Sequence, residues 1–354
     1  MEQQNQLLRD RLQTGFLGVI AFALLMFLLV QAKFILICLA IAIIIFSLTS
    51  DAIGAIARQR VPNWLATTIA LLLIAFGLLW AAATVVSQIN EVVTTSISYA
   101  EQMQAALPSL LEWLGPEAQE TVDTIIRNIN VTGWMRTAAG GASNLLSATV
   151  LIILFVGFMF AERVWFPLKI ESLLSGDRAS AAHVRQIITS IMRRVNRYLI
   201  VKTIVSGATA ICVYGIFTLA KLPLAGAIAL LTFALNFLPS VGSIIATVIA
   251  VALTYVLTAD VGTTLAIAAA CSAVQFAIGN VIDPMLLGQT LRLSSFGIIL
   301  SLAFWGAIWG IPGMFLAVPI MVAIMIVCAH IPWMRPIAIM LSREGHPDDG
   351  MADE

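Results

Sequence analysis

The chain is short of charge. Lys, Arg, Asp and Glu make up 11% of its 354 residues, against about 25% in soluble domains, and 60% are hydrophobic. That balance excludes a soluble globule. The 19 basic residues are matched by 19 acidic ones and fall in short clusters, which leaves no field for nucleic acid. Histidine is scarce as well: His183, His330 and His346 fit no ligand spacing, so no metal site and no cofactor is expected. Cys38, Cys212, Cys271 and Cys328 sit singly in apolar runs without a CxxC, which reads as small core residues rather than disulfides. G-x-S-x-G, H-E-x-x-H and Walker loops are missing, as is a carboxylate pair within one apolar run. The expectation is of a protein that is not an enzyme and hydrolyses no ATP of its own.

What the chain has is apolar length. Runs at Gly15–Val30 and Phe34–Leu48 read as an uncleaved helical pair, and Trp64–Val86 as a third span, long enough for a hydrocarbon core about 30 Å thick. From Gln88 to Asn144 hydrophobicity falls, and Ile89, Val93, Ile97, Leu107, Leu110 and Leu114 keep helical spacing as far as Gly115-Pro116. This predicts a helical insertion outside the bilayer. A fourth span, about Leu145–Ala161, leads to a basic segment whose Val184, Ile187, Ile188, Ile191, Val195 and Leu199 form one apolar face. Such a helix lies on a membrane surface or packs on its own protein. Residues 162–202 hold eight Lys or Arg against three acids, whereas 88–145 hold two against six. The positive-inside rule then puts the basic segment and both termini in the cytoplasm and the acidic segment outside.

After the fifth span, Thr203–Ala220, the pattern changes. Leu224–Leu238 and Ser243–Thr258 flank a break at Asn236-Phe-Leu-Pro239-Ser-Val-Gly242, and Phe296–Trp309 and Gly313–Ala329 flank Gly310-Ile-Pro312-Gly313. The arms of the first break are only about 22–24 Å long at 1.5 Å per residue, and the second break repeats the pattern, which predicts two re-entrant hairpins. A shift of 71 positions lays Gly242 on Gly313 and Ala246 on Ala317. Paired interrupted segments point to a transporter's site, because broken helices survive at membrane depth only where protein or water covers them.

The expected fold is an all-α polytopic membrane protein with about six full transmembrane helices, two re-entrant helical hairpins and an extracytoplasmic helical insertion. Its parts are N-terminal transmembrane helices (1–87), the insertion (88–144), a transport region (145–335) with hairpins at about 223–258 and 296–330, and a cytoplasmic tail (336–354). Asp260 and Asp283 fall at span ends and Arg292 in a loop, so the intramembrane polar groups are expected to be neutral: Asn236, Gln275 and Asn280. These serve either as glue between helices or as binding groups. Trp305 and Trp309 share a face and form either an interfacial belt or an aromatic cavity wall. Gly306 to Gly310 is a G-x-x-x-G, which lets backbones approach closely.

The residues from about 145 to 335 resemble the autoinducer-2 exporter family of bacterial membrane proteins. The likeness rests on Tyr198-Leu199 and Lys202; on Asn236 and Pro239-Ser-Val-Gly242; on Gln275-x4-Asn280-x3-Pro284-x3-Gly288; and on Trp305-Gly306-x2-Trp309-Gly310-x2-Gly313-x3-Ala317-x-Pro319. It implies a multi-pass protein of the bacterial inner membrane and a homo-oligomer, a pentamer in particular. It also implies export of a small polar signal or, in some members, sodium–proton exchange. Many relatives carry a glutamate where Ile278 stands here, which argues against antiport in this chain. The preferred reading is efflux of a small hydroxyl-rich solute of the autoinducer-2 type by alternating access of the hairpin unit, since neutral amides suit hydroxyl groups. A sodium–proton antiporter and a non-transporting oligomeric scaffold are the alternatives. Asn236, Gln275, Asn280, Trp305 and Trp309 are the expected solute contacts. Pro239, Gly242, Pro284, Gly288, Gly306, Gly310, Gly313 and Pro319 are the expected tips and hinges.

Overall fold

A computed structural model describes residues 2–57, 63–98, 131–174, 177–239, 241–287, 293–343 and 345. Among them the regular structure is helical apart from one β-bridge between Leu293 and Ser342. Eight helices are long and apolar enough to cross a membrane, and two shorter apolar ones, Ala225–Leu235 and Ser295–Trp309, accompany them. The all-α polytopic membrane fold expected from composition is the fold adopted. Most of the expected insertion, 99–130, lies outside the described residues, as does the tail beyond 345.

The chain begins with α1 (Glu2–Gln31) and α2 (Lys33–Ala57), joined through Ala32 alone. Ala32 has no left-handed backbone and α1 makes little contact with α2 beyond the joint, so the expected pair stands end to end rather than side by side. The apolar face of α1, including Phe16, Ile20, Leu24 and Phe27, is exposed by this chain. Helix α3 (Asn63–Ser98) runs on unbroken through Gln88, and α4 (Val131–Glu162) begins well before the expected fourth span. Their lengths, 36 and 32 residues, give about 54 and 48 Å, more than a hydrocarbon core needs. Helices α2, α3 and α4 close around Cys38, Ala42, Ile152, Val156 and Phe160. Three of the four cysteines are core residues as expected, Cys38 here and Cys271 and Cys328 further on, whereas Cys212 is exposed.

A short α5 (Phe166–Leu173) exposes Trp165, Phe166, Leu168 and Leu173 beside Lys169. Helix α6 (Arg178–Leu219) follows, capped by Asp177, whose Oδ1 accepts from the Ala179 N–H at 3.0 Å. It joins the basic segment and the fifth span in one helix of 42 residues, about 63 Å. A helix that crosses at its second half cannot also lie flat at its first. The apolar face of the first half is instead spent on the protein, where Ile187, Ile191, Val195 and Tyr198 pack with Val318, Val322 and Met325.

The hairpins have unequal arms. In the first, α7 (Ala225–Leu235) has 11 residues and α8 (Val241–Thr258) 18; in the second, α11 (Ser295–Trp309) has 15 and α12 (Ile311–His330) 20. The second arms therefore reach about 27 and 30 Å, and only the first arms are as short as expected. Between the hairpins run α9 (Val261–Ala277), a π-helical turn (Ile278–Ile282) and α10 (Asp283–Leu287), and α13 (Arg335–Leu341) closes the fold. Helix α12 is apolar all round and is the most enclosed span, with Leu316, Ala317, Val318, Pro319, Val322, Met325 and Cys328 buried, as expected of a helix that neighbours surround.

Candidate functional site

Glycine decides where the chain can turn back on itself. Gly310 has φ +67° and ψ −144°, a conformation open in practice only to glycine, and this one residue reverses α11 into α12. Ala32, the other one-residue joint, has no such freedom and produces no hairpin. The arms then close on two further glycines. A Cβ on Gly242 would fall on the carbonyl oxygen of Leu235, with its carbon at 2.6 Å. One on Gly313 would fall on that of Trp305, with Trp309 Cβ at 2.7 Å. The positions superposed by the 71-residue shift thus do the same job in both hairpins: each packs flat against a carbonyl of the preceding arm. Gly306 meets the Met314 side chain rather than backbone.

The first tip is self-contained. The N–H groups of Asn236, Phe237, Leu238, Val241 and Gly242 donate within the turn, Leu238 to Leu235 O at 2.8 Å and Gly242 to Leu238 O at 3.1 Å, while Pro239 has none. The tip is a compact cap rather than a ring of free donors. Asn236 is buried and turned to α6, its Nδ2 donating to Ser206 Oγ at 3.2 Å and Thr209 Oγ1 at 3.4 Å. Its neighbour Phe237 stacks on Phe315, two residues past Gly313, with ring centroids 5.2 Å apart. The two tips therefore meet, and an aromatic pair joins them. Pro319, lacking an N–H, cannot close the helix bond to the Phe315 carbonyl four residues earlier, which leaves an acceptor beside that contact.

Trp305 and Trp309 are buried, rings 4.6 Å apart, against Leu29, Leu36, Ile37 and Ala40 of α1 and α2. Trp309 Nε1 donates to Leu29 O at 3.0 Å, and Ser301 Oγ to Ala317 O at 2.8 Å. The tryptophans fasten the second hairpin to the N-terminal helices; they do not reach Asn236. Gln275 is half-buried, while Asn280 in the π-turn and Pro284 in α10 face outward. The five expected solute contacts are thus spread over three faces. Gly288 lies outside the described residues.

A charged pair lies where only neutral groups were expected. Lys202, 4% exposed, donates to Asp283 Oδ2 at 2.7 Å. Asp283 Oδ1 and the hydroxyl of Tyr198, one turn before Lys202, are buried with no hydrogen-bond partner among the described residues. In the sequence Lys202 looked like the head of a span and Asp283 the end of one. The signal available was that Asp283 is the lone charge between Asp260 and Arg292, while Lys202 is the last of a basic run at the head of an apolar span. Outside the spans, Asp260 caps α9: hydrogen bonds from Thr263, then from the Gly262 N–H, hold its carboxyl below the usual 3.8.

Two hairpins thus meet at Phe237 and Phe315 in a helical protein with eight helices long and apolar enough to cross a membrane. The model of the AI-2E family transporters matches residues 17–333. The chain belongs to the AI-2E transporter family. It is similar to a "Putative transport protein" of Haemophilus influenzae, 28% identical over 344 residues, 96% of this chain and 98% of that one. It is also similar to the AI-2 transport protein TqsA of Escherichia coli, 27% identical over 337 residues, 93% and 96% of the two chains. Membership makes this chain a transport protein rather than an enzyme and supports a multi-pass place in the inner membrane.

Proposed function

We propose that the protein exports a small, uncharged, hydroxyl-rich solute of the autoinducer-2 type, and that the hairpin unit alternates access to it. One observation carries this reading: both interrupted segments converge on a single contact, Phe237 on Phe315, with glycine closing each tip. The likeness to TqsA supports the solute class. The buried Asn236 beside Ser206 and Thr209 and the Phe315 carbonyl, which Pro319 cannot bond, are neutral hydrogen-bonding groups of the kind a polyol needs. The N-terminal helices, tied to α11 by the Trp309–Leu29 bond, are the scaffold against which the unit moves. The working form is a homo-oligomer, which covers the exposed apolar face of α1, and its basic 162–202 segment and termini lie in the cytoplasm.

The test is efflux from proteoliposomes loaded with autoinducer-2. Wild type empties faster than protein-free vesicles, and Phe237→Ala and Asn236→Ala empty more slowly at equal incorporation. If wild type does not move autoinducer-2 above the protein-free rate, the solute reading fails; if both variants match wild type, the tips are not the site.

A further inference from the structure

Two short helices from opposite ends of the chain leave apolar faces open. Helix α5 presents Trp165, Leu168, Lys169, Ser172 and Leu173 at helical spacing around a single open hollow, and keeps Ile170 for the protein. Leu173 is 81% exposed. The turn into α13 and that helix present Trp333, Ile337 and Met340, three and four residues apart, while Ala338 is buried. Trp333 is 77% and Met340 79% exposed.

The long helices fix the level at which these faces lie. Helix α12 is long enough to span and ends at His330, whose ring centroid is 5.4 Å from that of His183 in the second turn of α6. The start of α6 is therefore level with the end of α12. Helix α4, also long enough to span, ends at Glu162, and Glu162 pairs with Lys169 of α5. Helix α5 rests on α6, and α13 on α12 and α11. Both short helices thus lie where spans end. Exposed apolar side chains within a span face lipid, but beyond its end, in water, stripes this open would be a liability.

We propose that α5 and α13 are seated in the headgroup layer of the bilayer, with phospholipid covering the Trp165–Leu173 and Trp333–Met340 faces. The residue types fit that depth. Each stripe begins with a tryptophan, whose apolar ring and polar N–H favour the boundary between hydrocarbon and water. Each has a cation beside it, Lys169 or Arg335, and such side chains lay an apolar stem on the lipid while the charge stays in water. Short helices with one apolar face lie in this layer. Because the two faces hang on different supports, the partner that reaches both is a surface surrounding the protein at one level. The bilayer then holds α6 by its start and α12 by its end, the pair whose side chains pack together from Ile187 to Tyr198. The apolar face of α6 is spent on α12, so the surface role passes to the segment just before it.

The experiment places single nitroxide labels on the full chain in phospholipid nanodiscs, at Leu168→Cys, Leu173→Cys and Met340→Cys. Cys212, the exposed native cysteine, is replaced by alanine. Glu171→Cys, at the acidic position of α5, is the water-side reference. Oxygen dissolves in lipid and a nickel chelate in water, so the ratio of relaxation by oxygen to relaxation by nickel should be several-fold higher at 168, 173 and 340 than at 171. Labels at either helix relaxed chiefly by nickel put that face in water and overturn the proposal. Labels shielded from both reagents reveal a protein on the face, a second copy of this chain included, and overturn it as well.

Discussion

Gly313→Ala adds one methyl group at the tip of the second hairpin, and the structure sets its cost. The new Cβ would lie on the Trp305 carbonyl oxygen, 2.8 Å from its carbon and 2.7 Å from Trp309 Cβ, where ordinary contact begins at 3.4 Å. Two of these atoms are backbone and cannot rotate away, so the arms must part by about 0.7 Å at the least. Overpacking of this kind costs about 1–3 kcal/mol. The opening also strains the Ser301–Ala317 bond between the same arms, 2.8 Å long, and such bonds in membrane proteins are worth about 0.6–1.7 kcal/mol. A total of about 2–5 kcal/mol, at about 2 °C per kcal/mol, lowers the melting temperature by about 4–10 °C. The assay is thermal unfolding of purified protein in detergent beside Gly207→Ala. That glycine, inside α6, has nothing within 4 Å of a built Cβ, so its variant should melt at or slightly above wild type. If Gly313→Ala melts with Gly207→Ala, the close packing of the arms is wrong. Valine at 313 would disturb folding as much as transport, so alanine is the sharper probe.

Three other expectations follow from the same contacts. Asp283→Ala leaves the Lys202 ammonium buried and alone and should cost about 3–5 kcal/mol, whereas the double variant Lys202→Met with Asp283→Leu should unfold within about 1 kcal/mol of wild type; equal losses in chemical denaturation would show the pair is not buried. The Asp260 cap on α9 has a depressed carboxyl, so its contribution is complete above the ordinary value of 3.8 and lost as pH falls below it. Exchange protection at Gly262 and Thr263 should drop over that range and lose the drop in Asp260→Ala. Single cysteines at Gln104 and Glu120 should label from outside intact cells and those at Arg178 and Arg343 should not; labelling of Gln104 only from the cytoplasm reverses the orientation.

The breaks were legible in the sequence because a tight turn has few chemical solutions. Only glycine tolerates the Gly310 backbone, and only glycine lets Gly242 and Gly313 lie on a carbonyl, so the residue types themselves mark the hairpins. Length was legible only in part. Hydropathy stops at the edge of the lipid, but helical hydrogen bonding does not. The sequence reading therefore ended the third span near Val86 while α3 continues to Ser98, and divided α6 at Lys202 where the backbone runs on. The ion pair was not legible, because 81 residues separate its members and an isolated charge near a span end looks solvated until a neighbouring helix covers it.

The two features together suggest how motion is divided. Helix α12 is enclosed along its length, and Trp309 hydrogen-bonds to α1, so the second hairpin has little freedom to slide without breaking that bond. The first hairpin is held on α6 by Asn236 and touches the second through Phe237. The helical ladder is weakest at the π-turn, one residue from Asp283. The Lys202–Asp283 pair therefore sits where the backbone resists least and α9 joins α10. Helix α6 joins the pair to the tips, since it carries Lys202 and, one to two turns further on, the Ser206 and Thr209 partners of Asn236.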